Sequence, residues 1–93
     1  MIVGFRNGLT KAAFDGEALK GFPADLLKVT RRKLNYLDAA ISLEDLRSPP
    51  GNRLEALKGD RLGQHSIRIN DQFRICFKWT IEGPADVEFV DYH

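Results

Sequence analysis

A chain of 93 residues with a formal net charge of +1 and 43% hydrophobic residues has room for one domain, residues 1–93, and one small core. The near balance of charge excludes a polyanion binder built on bulk charge, and the apolar content excludes intrinsic disorder. One cysteine, Cys76, excludes an internal disulfide framework and fits a reducing compartment, so a cytoplasmic protein is expected.

Met1 to Phe5 reads as a short strand. It is apolar, but Arg6 ends it too soon for a signal-peptide core or a membrane span, and no membrane association is expected. Asn7-Gly8 breaks the strand, and Thr10 is placed to cap a brief helix over Lys11 to Asp15 that stops at Gly16. Gly21-Phe22-Pro23 introduces the main helix, with Pro23 near its first turn and Asp25 at the positive end of its dipole. Leu26, Thr30, Leu34, Leu37 and Ile41 recur at three- and four-residue steps, which turns one stripe toward a core. Arg31, Arg32 and Lys33 then fall on the solvated side. A second short helical segment, Leu43 to Leu46, precedes the stiff stretch Ser48-Pro49-Pro50-Gly51.

After Gly63 the period changes from helical to alternating. In Gln64 to Asn70, Ile67 and Ile69 share one face, and Ser66, Arg68 and Asn70 share the other. Asn70-Asp71 supplies turn chemistry. In the next run Phe73, Ile75, Phe77 and Trp79 point one way and Arg74, Cys76 and Lys78 the other. Glu82-Gly83-Pro84 turns the chain again, and Val87 and Phe89 continue the apolar face. The predicted order is β-α-α-β-β-β, an α+β structure whose helices cover one face of an antiparallel sheet, with the first strand at the sheet edge.

The opposite sheet face is then polar and open. Alternation places Arg68, Asn70, Arg74 and Lys78 there, and counting on from Phe89 adds Val90 and Tyr92. Charge follows the same division. Gly51 to Lys78 carries Arg53, Lys58, Arg61, Arg68, Arg74 and Lys78 against Glu55, Asp60 and Asp71, whereas the last fifteen residues hold four carboxylates and no Lys or Arg. Cations and a phenol gathered on one sheet surface form a site for a phosphate and a base.

The residue inventory narrows the chemistry. His65, His93, Cys76 and scattered carboxylates show no metal-ligand spacing, and there is no Gly-rich phosphate loop, so no metal or other cofactor is expected. A mid-strand cysteine such as Cys76 reads as inert packing, and His65 as a surface residue at a strand start. Cleavage of RNA needs only side chains: a base for the ribose 2′-OH, cations for the phosphorane, and an acid for the leaving oxygen. Lys58, Arg61, Arg68 and Arg74 are candidates for the cations, and Glu55, Asp91, Tyr92 and His93 for proton transfer. Spacing leaves the assignment of base and acid open. Each candidate also has a plain structural reading. Arg68 and Arg74 can serve solubility, Lys58 to Arg61 can be a turn, and Asp91-Tyr92-His93 a frayed end.

The stretch Ser48-Pro49-Pro50-Gly51-Asn52-Arg53-Leu54-Glu55-Ala56-Leu57-Lys58-Gly59-Asp60-Arg61, followed by Ser66 to Phe77, resembles the signature of HigB-type toxins of the RelE/ParE superfamily. The ending Asp91-Tyr92-His93 and the opening Ile2-Val3-Gly4-Phe5 extend the resemblance over essentially the whole chain. It implies a RelE-like microbial RNase fold and a metal-free endoribonuclease (an mRNA interferase) that cleaves mRNA in the A site of the 30S ribosomal subunit. It also implies a HigA-like helix-turn-helix antitoxin as partner, with operator DNA reached only through that antitoxin. By position Lys58, Arg74, Asp91, Tyr92 and His93 match family residues linked to RNA binding or cleavage, with Arg61 and Arg68 matched more loosely. One departure stands out. Where some members read His-Pro-Leu-Lys-Gly-Asp, this chain has Glu55-Ala56-Leu57-Lys58-Gly59-Asp60, so a carboxylate replaces a histidine. The alternatives are a ParE-like toxin acting on DNA gyrase and a catalytically weakened antitoxin-binding module.

Overall fold

The computed structural model describes residues 1–92, and His93 lies outside the described residues. Helix α1 spans Gly8–Phe14 and α2 spans Leu27–Ala39; strands β1 (Glu55–Ala56), β2 (Gln64–Arg68), β3 (Phe73–Thr80) and β4 (Gly83–Asp91) follow. Single 3-10 turns occupy Ala24–Leu26, Leu43–Leu46 and Gly59–Arg61. The strands form one antiparallel sheet in the order β1-β2-β3-β4, which is the expected α+β arrangement. Among the described residues no helix is long and apolar enough to cross a membrane.

The core lies between the helices and one sheet face. Leu34 and Leu37 of α2 meet Ile67, Ile75, Phe77, Val87 and Phe89, all buried. The stripe predicted for α2 holds through Thr30, Leu34 and Leu37 but not at Ile41, which is 91% exposed. The helix has already ended there: Ala40 is extended, and the Asp45 carboxylate takes the N–H groups of Ile41 and Ser42 to start the next turn. Those two N–H donors hold the Asp45 carboxyl below its ordinary range.

Helix α1 is capped one turn earlier than its sequence suggests. Asn7 is the extended N-cap residue, and its Oδ1 accepts from the Thr10 N–H at 2.9 Å and the Thr10 hydroxyl at 2.7 Å. Thr10 is instead buried inside the helix, where its hydroxyl accepts the Phe89 N–H at 3.0 Å and ties α1 to β4.

The amino-terminal segment also departs from expectation. Met1 to Phe5 is not a regular strand; it makes one isolated parallel bridge, Phe5 to Val87, against the β4 edge. The Val3 and Arg6 N–H groups reach the carbonyls of Pro84 and Val87 at 2.8 and 2.9 Å. The Ile2 N–H turns away to the Asp38 carboxylate on α2, which interrupts the ladder. Gly83 permits the approach, since at φ +133 a side chain there would collide with the Met1 carbonyl.

Two cations expected in solvent have structural tasks. Arg31 donates from Nε to the Phe14 carbonyl at 3.2 Å and so closes the end of α1. Lys33 is 3% exposed, and its ammonium donates to Asn52 Oδ1 at 2.6 Å. Burial, aided by the nearby charges of Arg32 and Arg68, lowers the Lys33 pKa.

Candidate functional site

Directly paired residues of an antiparallel ladder project to the same side. The register therefore fixes what lies on the sheet face opposite the helices. Glu55 pairs with Ser66, Ser66 with Cys76 and Cys76 with Glu88, which makes one transverse row. Arg68, Arg74 and Val90 make the next row, and alternation sets Tyr92 beyond it. This face is less open than the alternating pattern predicts. Ser66 and Cys76 are fully buried, beneath the charged groups of Arg61, Arg74 and Glu88.

Arg74 is held on three sides. Its Nε donates to Ser66 Oγ at 2.6 Å, one terminal nitrogen donates to the Arg53 carbonyl at 2.8 Å, and its guanidinium carbon sits 5.8 Å from the Tyr92 ring centre. A guanidinium has five N–H donors. Two are committed to Ser66 and Arg53, which leaves an edge that can grip a phosphate in a fixed direction.

Arg61 is the second ordered cation. Its Nη1 donates to Gln64 Oε1 at 3.1 Å and to Glu88 Oε1 at 3.2 Å, and Arg6 approaches the same carboxylate at 3.8 Å. Burial pushes the Cys76 thiol up and Glu88 adds to the rise, against opposing pulls from Arg61 and Arg74. The thiol is thus kept protonated, as expected of a packing residue.

The remaining predicted residues divide. Glu55 and Lys58 are exposed, with no hydrogen bond or ion pair to another described side chain, so Glu55 is not consumed by Arg53 or Lys58. Arg68 shares the Arg74 row, but its guanidinium pairs with Asp71 in the hairpin turn. Asn70 falls past the end of β2; its Oδ1 accepts the N–H groups of Gln72 and Phe73 at 2.9 and 2.8 Å and so shapes that turn. Asp91 pairs with Phe73 and lies on the helix side of the sheet, where Gln72 Nε2 reaches it at 3.1 Å. The arrangement therefore does not bring Asp91 to Arg74. Residues 91 and 92 are not frayed, since the Tyr92 N–H reaches the Gln72 carbonyl at 2.6 Å. The candidate His93 lies outside the described residues. His65 is half-buried, its ring 6.2 Å from Phe77 on the core side, and is not the surface residue expected.

Three contributors escaped the sequence reading. Glu88 alternates with Val87 and Phe89, so its place on the site face was available from period alone. Periodicity puts Ser66 on this face and assigns it no task. The Arg53 carbonyl left no trace in composition, because it acts through a left-handed backbone, φ +46. Among the described residues no three His, Cys, Asp or Glu side chains are grouped as metal ligands would be.

Two helices against one face of an antiparallel sheet, with ordered guanidinium groups over the other, make the α+β arrangement of a RelE-like protein. A profile described as "RelE-like toxin of type II toxin-antitoxin system HigB" matches residues 4–93. The chain is 45% identical over 71 residues to "Toxin HigB-1" of Vibrio cholerae, covering 76% of this chain and 74% of that protein. It is 32% identical over 94 residues to "Endoribonuclease HigB" of Proteus vulgaris, covering 100% of both. An uncharacterized protein of Haemophilus influenzae is 41% identical over 64 residues, 69% of this chain and 63% of that one. The chain belongs to the RelE-like HigB toxin family of type II toxin–antitoxin systems, and a cognate antitoxin is implied by that membership.

Proposed function

We propose that this toxin is an endoribonuclease that cleaves mRNA in the ribosomal A site by acid–base chemistry of its own side chains. The observation that carries this reading is Arg74: a guanidinium fixed by Ser66 and the Arg53 carbonyl beside the Tyr92 ring, with a donor edge left over. Such a group stabilises charge that develops on a phosphorane without moving during the reaction. Lys58, exposed after β1, adds a cation to the reading, Arg61 is ordered near the same face on Glu88, and the Tyr92 ring offers a stacking surface. Glu55, one row away on the same face, takes the 2′-OH proton in this reading, and Tyr92, or His93 by its chemistry alone, returns one to the leaving 5′ oxygen. A HigA-like helix-turn-helix antitoxin restrains the toxin in the cytoplasm and carries any contact with operator DNA.

Toeprinting on translating ribosomes tests the reading. Purified toxin produces cuts within the A-site codon, and Arg74→Ala removes them. Cuts that persist in Arg74→Ala, or a catalytic step that requires added Mg²⁺, contradict the mechanism. Inhibition of gyrase supercoiling without RNA cleavage would replace it with a ParE-like activity.

A further inference from the structure

We infer that Asn52 and Arg53 form a positioning element for Arg74, clamped between α2 and the sheet so that the Arg53 carbonyl is aimed at the guanidinium. The inference rests on the reading of Arg74 as the phosphate-gripping group.

Asn52 is fully buried, and each of its polar groups is used. Its N–H donates to the Pro49 carbonyl at 3.3 Å, and its carbonyl accepts the Arg68 N–H at 2.6 Å. Its side-chain Nδ2 donates to the Leu46 carbonyl at 3.0 Å, and its Oδ1 accepts from the Lys33 ammonium at 2.6 Å. One residue thus joins α2, the 3-10 turn Leu43–Leu46 and β2. A buried polar residue this fully bonded has little freedom to shift.

The backbone then does something that an extended chain cannot. Successive carbonyls of a strand point to opposite sides, whereas a helical-type conformation at the second residue turns them the same way. Arg53 adopts φ +46, the left-handed region that is costly for a residue with a side chain. Both carbonyls consequently face the β2–β3 hairpin. That of Asn52 takes the Arg68 N–H, and that of Arg53 takes the Arg74 guanidinium at 2.8 Å. The Arg53 side chain is exposed and unpaired among the described residues, so no contact of its own accounts for the strained conformation. What the strain delivers is the carbonyl.

The test is a series at position 53 in the full chain: Arg53→Gly, Arg53→Asn, Arg53→Ala and Arg53→Val. Every variant removes the same charge, while the cost of the left-handed backbone rises from Gly to Val. Two measurements are made on each: single-turnover cleavage of ribosome-bound mRNA, and exchange of the Arg74 Nε–H with water by ¹⁵N NMR. Taking Arg53→Gly as reference, Arg53→Val is expected to cleave about tenfold more slowly, the loss appropriate to one hydrogen bond on a charged group. The Arg74 Nε–H is expected to exchange faster in step with that loss.

Equal behaviour of the Gly and Val variants, or an Arg74 signal indifferent to the series, would each overturn the inference. If Arg53→Val does not fold, the Gly, Asn and Ala members carry the same comparison with a smaller span. If the unaltered toxin cleaves no RNA, the functional reading fails, and the NMR series alone decides whether Arg53 positions Arg74.

Discussion

The Arg74 Nε lies 2.6 Å from Ser66 Oγ, across the β2–β3 pairing on the polar face of the sheet. Ser66 is fully buried, so its hydroxyl oxygen is a fixed acceptor, and the guanidinium plane is set before any RNA arrives. Ser66→Ala removes that acceptor and little else. Loss of a hydrogen bond to a charged group predicts about a tenfold fall in cleavage rate and about 1 kcal/mol of lost stability. Toeprint kinetics and thermal melts read both quantities, and an unchanged rate would show that Arg74 needs no such support.

The same face holds Cys76, whose thiol is raised first by burial and then by Glu88, while Arg61 and Arg74 pull it down. The charges predict opposite responses. Glu88→Gln lowers the thiol pKa, and Arg74→Ala raises it. Thiolate ultraviolet absorbance against pH measures this without a reagent having to reach the buried side chain. Rapid labelling of the unaltered native protein at neutral pH is not expected, because the thiolate is the reactive form.

Alternation made the site face legible in the sequence, because a sheet with one side on the core turns period into position. Arg68, Arg74, Tyr92 and Glu88 need nothing more than that period. Three features were hidden for physical reasons. A half-turn of strand separates Asp91 from Tyr92, so adjacent residues with similar chemistry fall on opposite faces. Lys33 looked solvated because its partner, Asn52, lies nineteen residues away in a loop that no periodicity describes. Arg53 acts through a carbonyl, and backbone conformation at a non-glycine residue carries no composition signal.

Buried Lys33 makes a prediction about stability and pH. Its pKa is lowered in the folded protein, so in the alkaline range the unfolded chain holds the proton that the folded chain has released. Stability must rise with pH wherever the unfolded state binds more protons. The toxin therefore gains stability from Lys33 as pH climbs from the lowered folded value toward the ordinary lysine value. Lys33→Met keeps most of the volume but leaves Asn52 Oδ1 buried without its donor, a loss of about 1–3 kcal/mol. Urea unfolding across the alkaline range should show the Lys33 gain as the difference between the two profiles, since the raised Cys76 thiol lowers stability with pH in both proteins. Parallel profiles would mean that Lys33 does not titrate there.

Glu55 supplies the sharpest test of the reaction itself. It is exposed and unpaired among the described residues, and it stands opposite Ser66 on the face that carries Arg74. A general base works only when deprotonated, so the rate falls as pH drops through its pKa. Histidine titrates about two units above a glutamate in model peptides. Glu55→His should therefore move the acid limb of the pH–rate profile upward while preserving RNA cleavage, and Glu55→Gln should lower the plateau by ~10²-fold or more. Because Glu55 is exposed, neither change is expected to alter the melting temperature by more than about 4 °C. An acid limb that stays in place in Glu55→His assigns the proton to another group on this face, and Tyr92→Phe under the same assay then becomes the deciding variant.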